Sequence, residues 1–83
     1  MSKIVHMGKE VRKRMEAEGR KSSWLAKKIA CDTSKIYRIY HQQYVEVKHL
    51  IPISIFLDFN FFSYYSGYVD DQIQKKSHNK MDE

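Results

Sequence analysis

The sequence predicts an all-α fold of five short helices, residues 1–69, followed by a disordered polar tail, residues 70–83. Three observations carry this prediction. Apolar residues recur three and four positions apart in successive runs, which is the mark of helices buried along one face. Those runs are separated by residues that start or stop helices. The last stretch, DDQIQKKSHNKMDE, is polar, mixed in charge and nearly free of large apolar groups, so it has little to bury in return for being ordered.

The first helix is expected from Ser2, a candidate cap, to Gly19. Ile4, Met7, Val11 and Met15 share one face, while Lys9, Arg12, Lys13, Glu16 and Arg20 lie around the rest. Gly19 suits a left-handed stop. The basic run Arg12-Lys13-Arg14 reads as a solvated face more readily than as a contact.

The second and third helices lie within WLAKKIACDTSKIYRIY, Trp24 to Tyr40, around which the chain is organised. Helix two is expected from Ser23 to Ala30, with Leu25, Ala26 and Ile29 at helical spacing. Helix three is expected from Thr33 to His41, with Ile36, Ile39 and Tyr40 on its apolar side. So short a connection makes the two helices cross steeply. Asp32 can cap the third helix and suits its positive end. Trp24, the only tryptophan, fits packing on helix one or at the core edge.

A fourth helix is expected to begin near Lys48. Pro52 has no N–H for the Lys48 carbonyl, so a start there loses at most the first rung of the ladder. Leu50, Ile51, Ile53, Phe56 and Leu57 supply its apolar side. Asp58-Phe59-Asn60 interrupts the pattern. A short fifth helix carries Phe61, Phe62, Tyr64 and Tyr65 and is expected to stop at Gly67. The expected core is Val11, Met15, Leu25, Ala26, Ile29, Ile36, Ile39, Leu50, Ile53 and Leu57.

The 83 residues carry a formal net charge of +5. Residues 1–66 hold 12 Lys/Arg against 6 Asp/Glu, and residues 67–83 hold 3 against 4. The expected folded part is therefore the basic part, as suits a polyanionic partner, although mild basicity also serves solubility. The single cysteine, Cys31, cannot form an intrachain disulfide, which fits a reducing cytoplasm. It reads as a small apolar filler, with a redox switch as the alternative. The opening residues do not read as a signal peptide. The most apolar run, Leu50 to Phe62, is too short to span a bilayer. His6, His41, His49 and His78 lie too far apart for a zinc pattern and read as surface residues. No glycine-rich phosphate loop, His-Glu-x-x-His pattern or helically spaced acid pair is present. The chain is accordingly not expected to be an enzyme or to need a cofactor.

The outward positions of helix three are Thr33, Ser34, Lys35, Tyr37 and Arg38. They are donors and cations with no acid among them, a face that suits the major groove of DNA. A plain αα-hairpin in a helical bundle is the competing reading. Residues 8–57 resemble the lambda-repressor-like (Cro/repressor, Xre-type) helix-turn-helix family, in a small bacterial or phage-derived form. The resemblance rests on Gly19-Arg20-Lys21-Ser22, then Leu25-Ala26, then Ile29-Ala30-Cys31, then Thr33-Ser34-Lys35-Ile36. HLIPISIFLDFNFFSYYS is similar to that family's fourth and fifth helices. Three positions depart from its pattern. Ala30 stands where the family often has a glycine of positive φ, at a cost of roughly 1–2 kcal/mol. Lys21 stands where it has a capping Ser or Thr, which moves the expected cap to Ser22. Ser22 itself stands where it has a phosphate-holding Gln.

The resemblance implies a small repressor-like transcription regulator with residues 33–41 in the major groove. Thr33, Ser34 and Arg38 match the base-reading places, with Lys35 and Tyr37 next. Arg20, Lys21, Ser22, Lys27, Lys28 and Lys48 are the candidate phosphate contacts. Such proteins bind as homodimers. The aromatic residues Phe61, Phe62, Tyr64, Tyr65 and Tyr68, together with Phe59, are more rings than five short helices easily bury. They are the candidate dimer interface, unless they cap the monomer's own core. A second class of function also fits: a protein-interaction module, such as an antitoxin or dimerising partner, that keeps the fold without reading DNA.

Overall fold

The computed structural model describes residues 4–78. Five helices follow one another: α1 (Met7–Ala17), α2 (Ser22–Lys28), α3 (Thr33–Tyr40), α4 (Val47–Phe56) and α5 (Phe62–His78). There is no strand among the described residues, and no helix among them is long and apolar enough to cross a membrane. The core contains every expected residue except Ile29, which packs half-buried against it, and adds Met7, Tyr40, Val45 and Phe61.

α1 begins later than the sequence suggested. Ser2 lies outside the described residues, and Ile4 precedes the helix. His6 is the cap, its Nδ1 accepting from the Lys9 N–H at 3.1 Å. The start is fixed by α3. The Met7 and Gly8 N–H groups donate to the Gln43 and Gln42 carbonyls, both at 2.9 Å. Orphan donors at one helix start thus meet the carbonyls just beyond another helix's end. Only glycine fits at position 8. A β-carbon there would lie 2.6 Å from the carbonyl oxygens of Tyr40 and Gln42 and closer still to that of Ile39.

α1, α2 and α4 end in the same way. A residue of positive φ follows each helix: Gly19 at 65°, Ala30 at 56° and Asp58 at 53°. The next N–H then reaches five residues back, from Arg20 to Met15 O, Cys31 to Ala26 O and Phe59 to Ser54 O, at 2.9, 2.9 and 3.1 Å. This is the Schellman closure, which satisfies a terminal carbonyl. Gly19 and the Ala30 position behave as the sequence suggested.

The capping expectations for the central pair need correction. Ser22 does not cap α2. It is the first helical residue, and its hydroxyl pairs with the Tyr40 hydroxyl at 3.0 Å. Lys21 holds the cap position without a side-chain bond. Asp32 occupies the cap position of α3, but its side chain makes no capping bond. Pro52 lies inside α4. The Leu50 N–H already bonds to the Glu46 carbonyl at 2.8 Å, so the missing donor falls after the first rung.

α5 differs most from expectation. It does not stop at Gly67, which has no positive φ. It runs through the first nine residues of the expected tail to His78, and residues 79–83 lie outside the described residues. Asn60 starts it: its Oδ1 accepts from the Phe62 N–H at 3.1 Å, and its carbonyl accepts from the Ser63 hydroxyl at 2.8 Å. An Asp71–Lys75 pair at 3.6 Å, four residues apart, supports the far turns, where such spacing places opposite charges side by side.

Candidate nucleic-acid interface

α2 and α3 are joined by residues 29–32 and pack closely, with α1 across α3. The joint is held on one side by Ala30 and the Cys31 N–H bond to Ala26 O. On the other side it is held by the Ser22–Tyr40 hydroxyl pair, which ties the start of α2 to the end of α3. Burial pushes the Tyr40 phenol up, against the opposing effect of the Ser22 bond, so it stays a protonated partner. Ile36 and Ile39 are buried beneath α3. Ser34, Tyr37 and Arg38 are exposed, while Thr33 and Lys35 are half-buried. Tyr37, 55% exposed, stands edge-on to Tyr40 with ring centres 6.0 Å apart.

Five of the expected contact residues, Arg20, Lys21, Ser22, Lys27 and Tyr37, gather in two clefts, while Thr33, Ser34, Lys35, Arg38, Lys28 and Lys48 line neither. A cleft of about 190 Å³ brings together Arg20, Ser22, Tyr37 and Tyr40 with Arg12, Glu16 and His41. A more open cleft of about 470 Å³ holds Arg20, Lys21, Ser23, Trp24 and Lys27. Arg20 serves both, its guanidinium 4.3 Å from the centre of the Trp24 ring. Trp24 thereby acquires a role beyond the core edge, as a platform that fixes a cation. Lys28 leans toward α4, 6.0 Å from the Trp24 ring and 5.9 Å from that of Phe56. Lys48 is exposed at the start of α4, next to His49, whose Nδ1 lies 3.3 Å from Glu46. Burial holds His49 below the ordinary imidazole range, helped by the charge of Lys35.

His41 was missed as a cleft residue. The only sequence signal was its position one helical turn after Tyr37, on the same side of α3. Ser22 Oγ lies 3.0 Å from the Tyr40 hydroxyl, and either hydroxyl can be the donor.

The cations divide into two sets. Three of the four on α1 are matched locally, Arg12 to Glu16 at 3.2 Å, Lys13 to Glu10 at 3.4 Å and Arg14 to Glu18 at 2.8 Å, while Lys9 is exposed. The cations that follow are not matched. Residues 19–57 hold seven Lys/Arg and two acids, Asp32 and Glu46. Apart from Arg20, 3.8 Å from Glu18, none of these seven forms an ion pair among the described residues.

One residue of the expected dimer interface needs correction. Phe61 is 1% exposed and belongs to the monomer's core. Phe59, Phe62, Tyr64 and Tyr65 pack half-buried against that core. Phe59 meets Phe61 at 4.8 Å between centres and supports the Arg14 guanidinium at 4.8 Å. Cys31 is also a filler against the core, its thiol pKa pushed up chiefly by burial. Scans of protein-family models, curated proteins and solved structures return no match to this chain.

Proposed function

We propose that this chain is a lambda-repressor-like helix-turn-helix protein that binds double-stranded DNA as a small transcriptional regulator, with α3 in the major groove. The observation that carries the reading is the division of the cations. Three of the four cations of α1 have a carboxylate within 3.4 Å, whereas Lys21, Lys27, Lys28, Lys35, Arg38 and Lys48 have no acidic partner among the described residues. Unpaired cations around an acid-free helix suit a polyanion, because each phosphate neutralised releases condensed counterions. α3 also presents side chains of the kind that read base edges. Arg38 can pair with two acceptors of one guanine, and Ser34 and Tyr37 can each make a hydrogen bond.

In this reading Arg20, Lys21 and Lys27 hold the backbone on one side of α3 and Lys48 holds it on the other. Their contacts set position without reading sequence. One short helix reads few base pairs, so useful specificity calls for two copies on an inverted repeat, with recognition helices about 34 Å apart. Fluorescence anisotropy of a labelled random-sequence duplex tests the polyanion argument. Binding should be measurable at low salt and weaken linearly in log K against log salt. No binding at low salt, or binding indifferent to salt, would remove the argument.

A further inference from the structure

α4 is apolar on more than its buried side. Leu50 and Ile53 are in the core, while Ile51 and Ile55 stand 47% and 68% exposed. Ile51, Ser54, Ile55 and Asp58 follow one another at spacings of 3, 1 and 3, which keeps them on one side of the helix and of the turn that ends it. A lone surface isoleucine is ordinary. Contiguous apolar surface with polar groups at its rim marks a place where something binds.

The turn after α4 makes that side into a groove. Asp58 takes a φ of 53°, and the Phe59 N–H closes back on the Ser54 carbonyl at 3.1 Å. The chain then enters α5 at Asn60. Phe59 and Phe62, both half-buried, are thereby brought together with Ile51 and Ile55 around a space of about 390 Å³. That size is within the range of small-ligand sites, which are mostly apolar with a few convergent polar groups.

The polar side chains that line the groove are Ser54, Asp58 and Asn60, and each can accept a hydrogen bond. The Asp58 carboxylate forms no ion pair among the described residues, on a chain where 15 Lys/Arg face 10 Asp/Glu. Ser54 Oγ is buried without a hydrogen-bond partner, a state that costs free energy until a partner is supplied. Asn60 Oδ1 accepts from the Phe62 N–H and keeps a second lone pair. No Lys or Arg lines the groove among the described residues. Arg14, 4.8 Å from the centre of the Phe59 ring, lines a different cleft and is held by Glu18 at 2.8 Å.

We propose that this groove binds a small organic amine in its protonated form, an ammonium group on an apolar body. An ammonium carries three donors and no acceptor. The groove meets it with acceptors on Asp58, Ser54 and Asn60, and the Asp58 carboxylate matches its charge. The apolar body lies between Ile51 and Ile55 and the Phe59 and Phe62 rings, whose faces also favour a nearby cation. Asp58 disfavours a carboxylate or phosphate ligand, and a purely apolar one leaves the Ser54 hydroxyl unpaired. The groove is complete within one copy of the chain. It shares no lining residue with the two clefts beside α2 and α3, so the site does not depend on DNA binding.

NMR titration of the isotope-labelled full chain with phenylbutylamine tests it, with phenylbutanol as the uncharged counterpart of similar shape. The backbone signals of Ile51, Ile55, Asp58 and Phe62 should shift and saturate. The amine should bind about tenfold more tightly than the alcohol, the scale of one charge-assisted hydrogen bond. Asp58→Asn keeps the side chain's size and suits a left-handed position. It should leave alcohol binding unchanged and remove the preference for the amine. Ser54→Ala should weaken the amine more than the alcohol. Equal affinity of the native chain for the two compounds overturns the proposal, as does an amine preference that survives Asp58→Asn. An amine that saturates nothing up to about 10 mM, a decade weaker than millimolar affinity, overturns it and leaves the groove to a macromolecular partner. Groove signals that move with protein concentration alone overturn it in favour of a second copy of the chain.

Discussion

Gly8→Ala is expected to destabilise the chain strongly, although alanine is the better helix former. The new β-carbon would sit 2.6 Å from the Tyr40 and Gln42 carbonyl oxygens and closer to that of Ile39. These are backbone atoms in and just after the last turn of α3 and cannot swing aside. α1 must retreat, which breaks the two 2.9 Å bonds from Met7 and Gly8 to Gln43 and Gln42. Two such bonds are worth about 1 kcal/mol each, and relieving the overlap costs about 1–3 kcal/mol. Alanine's helix propensity returns about 1 kcal/mol. The net loss is about 2–4 kcal/mol, a fall in Tm on the order of 10–25 °C for a domain of this size. The other two glycines serve as controls. At Gly67 a β-carbon meets nothing within 4 Å, so Gly67→Ala should gain up to about 1 kcal/mol. At Gly19, with φ of 65°, alanine should cost about 1–2 kcal/mol. Urea unfolding of the three variants reads all three. Gly8→Ala within about 0.5 kcal/mol of the parent, the range of neutral surface substitutions, would refute the close approach of α1 to α3.

Ala30→Gly and Asp58→Gly relieve left-handed non-glycine residues and should each raise stability by up to about 1 kcal/mol by the same unfolding assay. Tyr40→Phe removes the bond to Ser22 and should cost about 1 kcal/mol. His49 titrates below 6.5, from burial first and from Lys35 second. The unfolded chain therefore binds the proton more readily, and stability that is full above 6.5 is lost as pH falls below it. Thermal melts should show this loss, and His49→Gln should reduce it. On DNA, Lys27→Ala should weaken all sequences alike and reduce the slope of log K against log salt by about 0.9.

Much of the fold was legible because helical periodicity records burial directly. Val11 and Met15, Leu25 and Ala26, Ile36 and Ile39, and Leu50, Ile53 and Leu57 are buried as their spacing implied. Chain punctuation was harder to read. Gly19 and Gly67 are the same letter, yet one closes α1 at positive φ and the other lies inside α5. What separates them is the Asn60 cap and the residues beyond Gly67 that keep helical spacing. The start of α1 could not be read locally either, because its first donors are satisfied by Gln42 and Gln43, more than thirty residues away in sequence. In the candidate site, composition marked the acid-free face of α3. It could not show that Ser22 is held by Tyr40, that Arg20 rests on Trp24, or that Arg12, Lys13 and Arg14 each pair with a nearby acid. It also misjudged one residue of the apolar surface. Aromatic density drew attention to Phe61, which is buried, and away from Val69 and Ile73, which are not.

The claim that α3 reads DNA is tested most directly by selecting bound duplexes from a random pool with the full chain and with Arg38→Ala. The wild-type chain should enrich one short motif. Arg38→Ala, which leaves the buried residues of α3 untouched, should lose preference at a single base pair, worth about 1–3 kcal/mol of discrimination, while the rest of the motif persists. A wild-type pool no different from the input, or a motif that Arg38→Ala leaves unchanged, would contradict it.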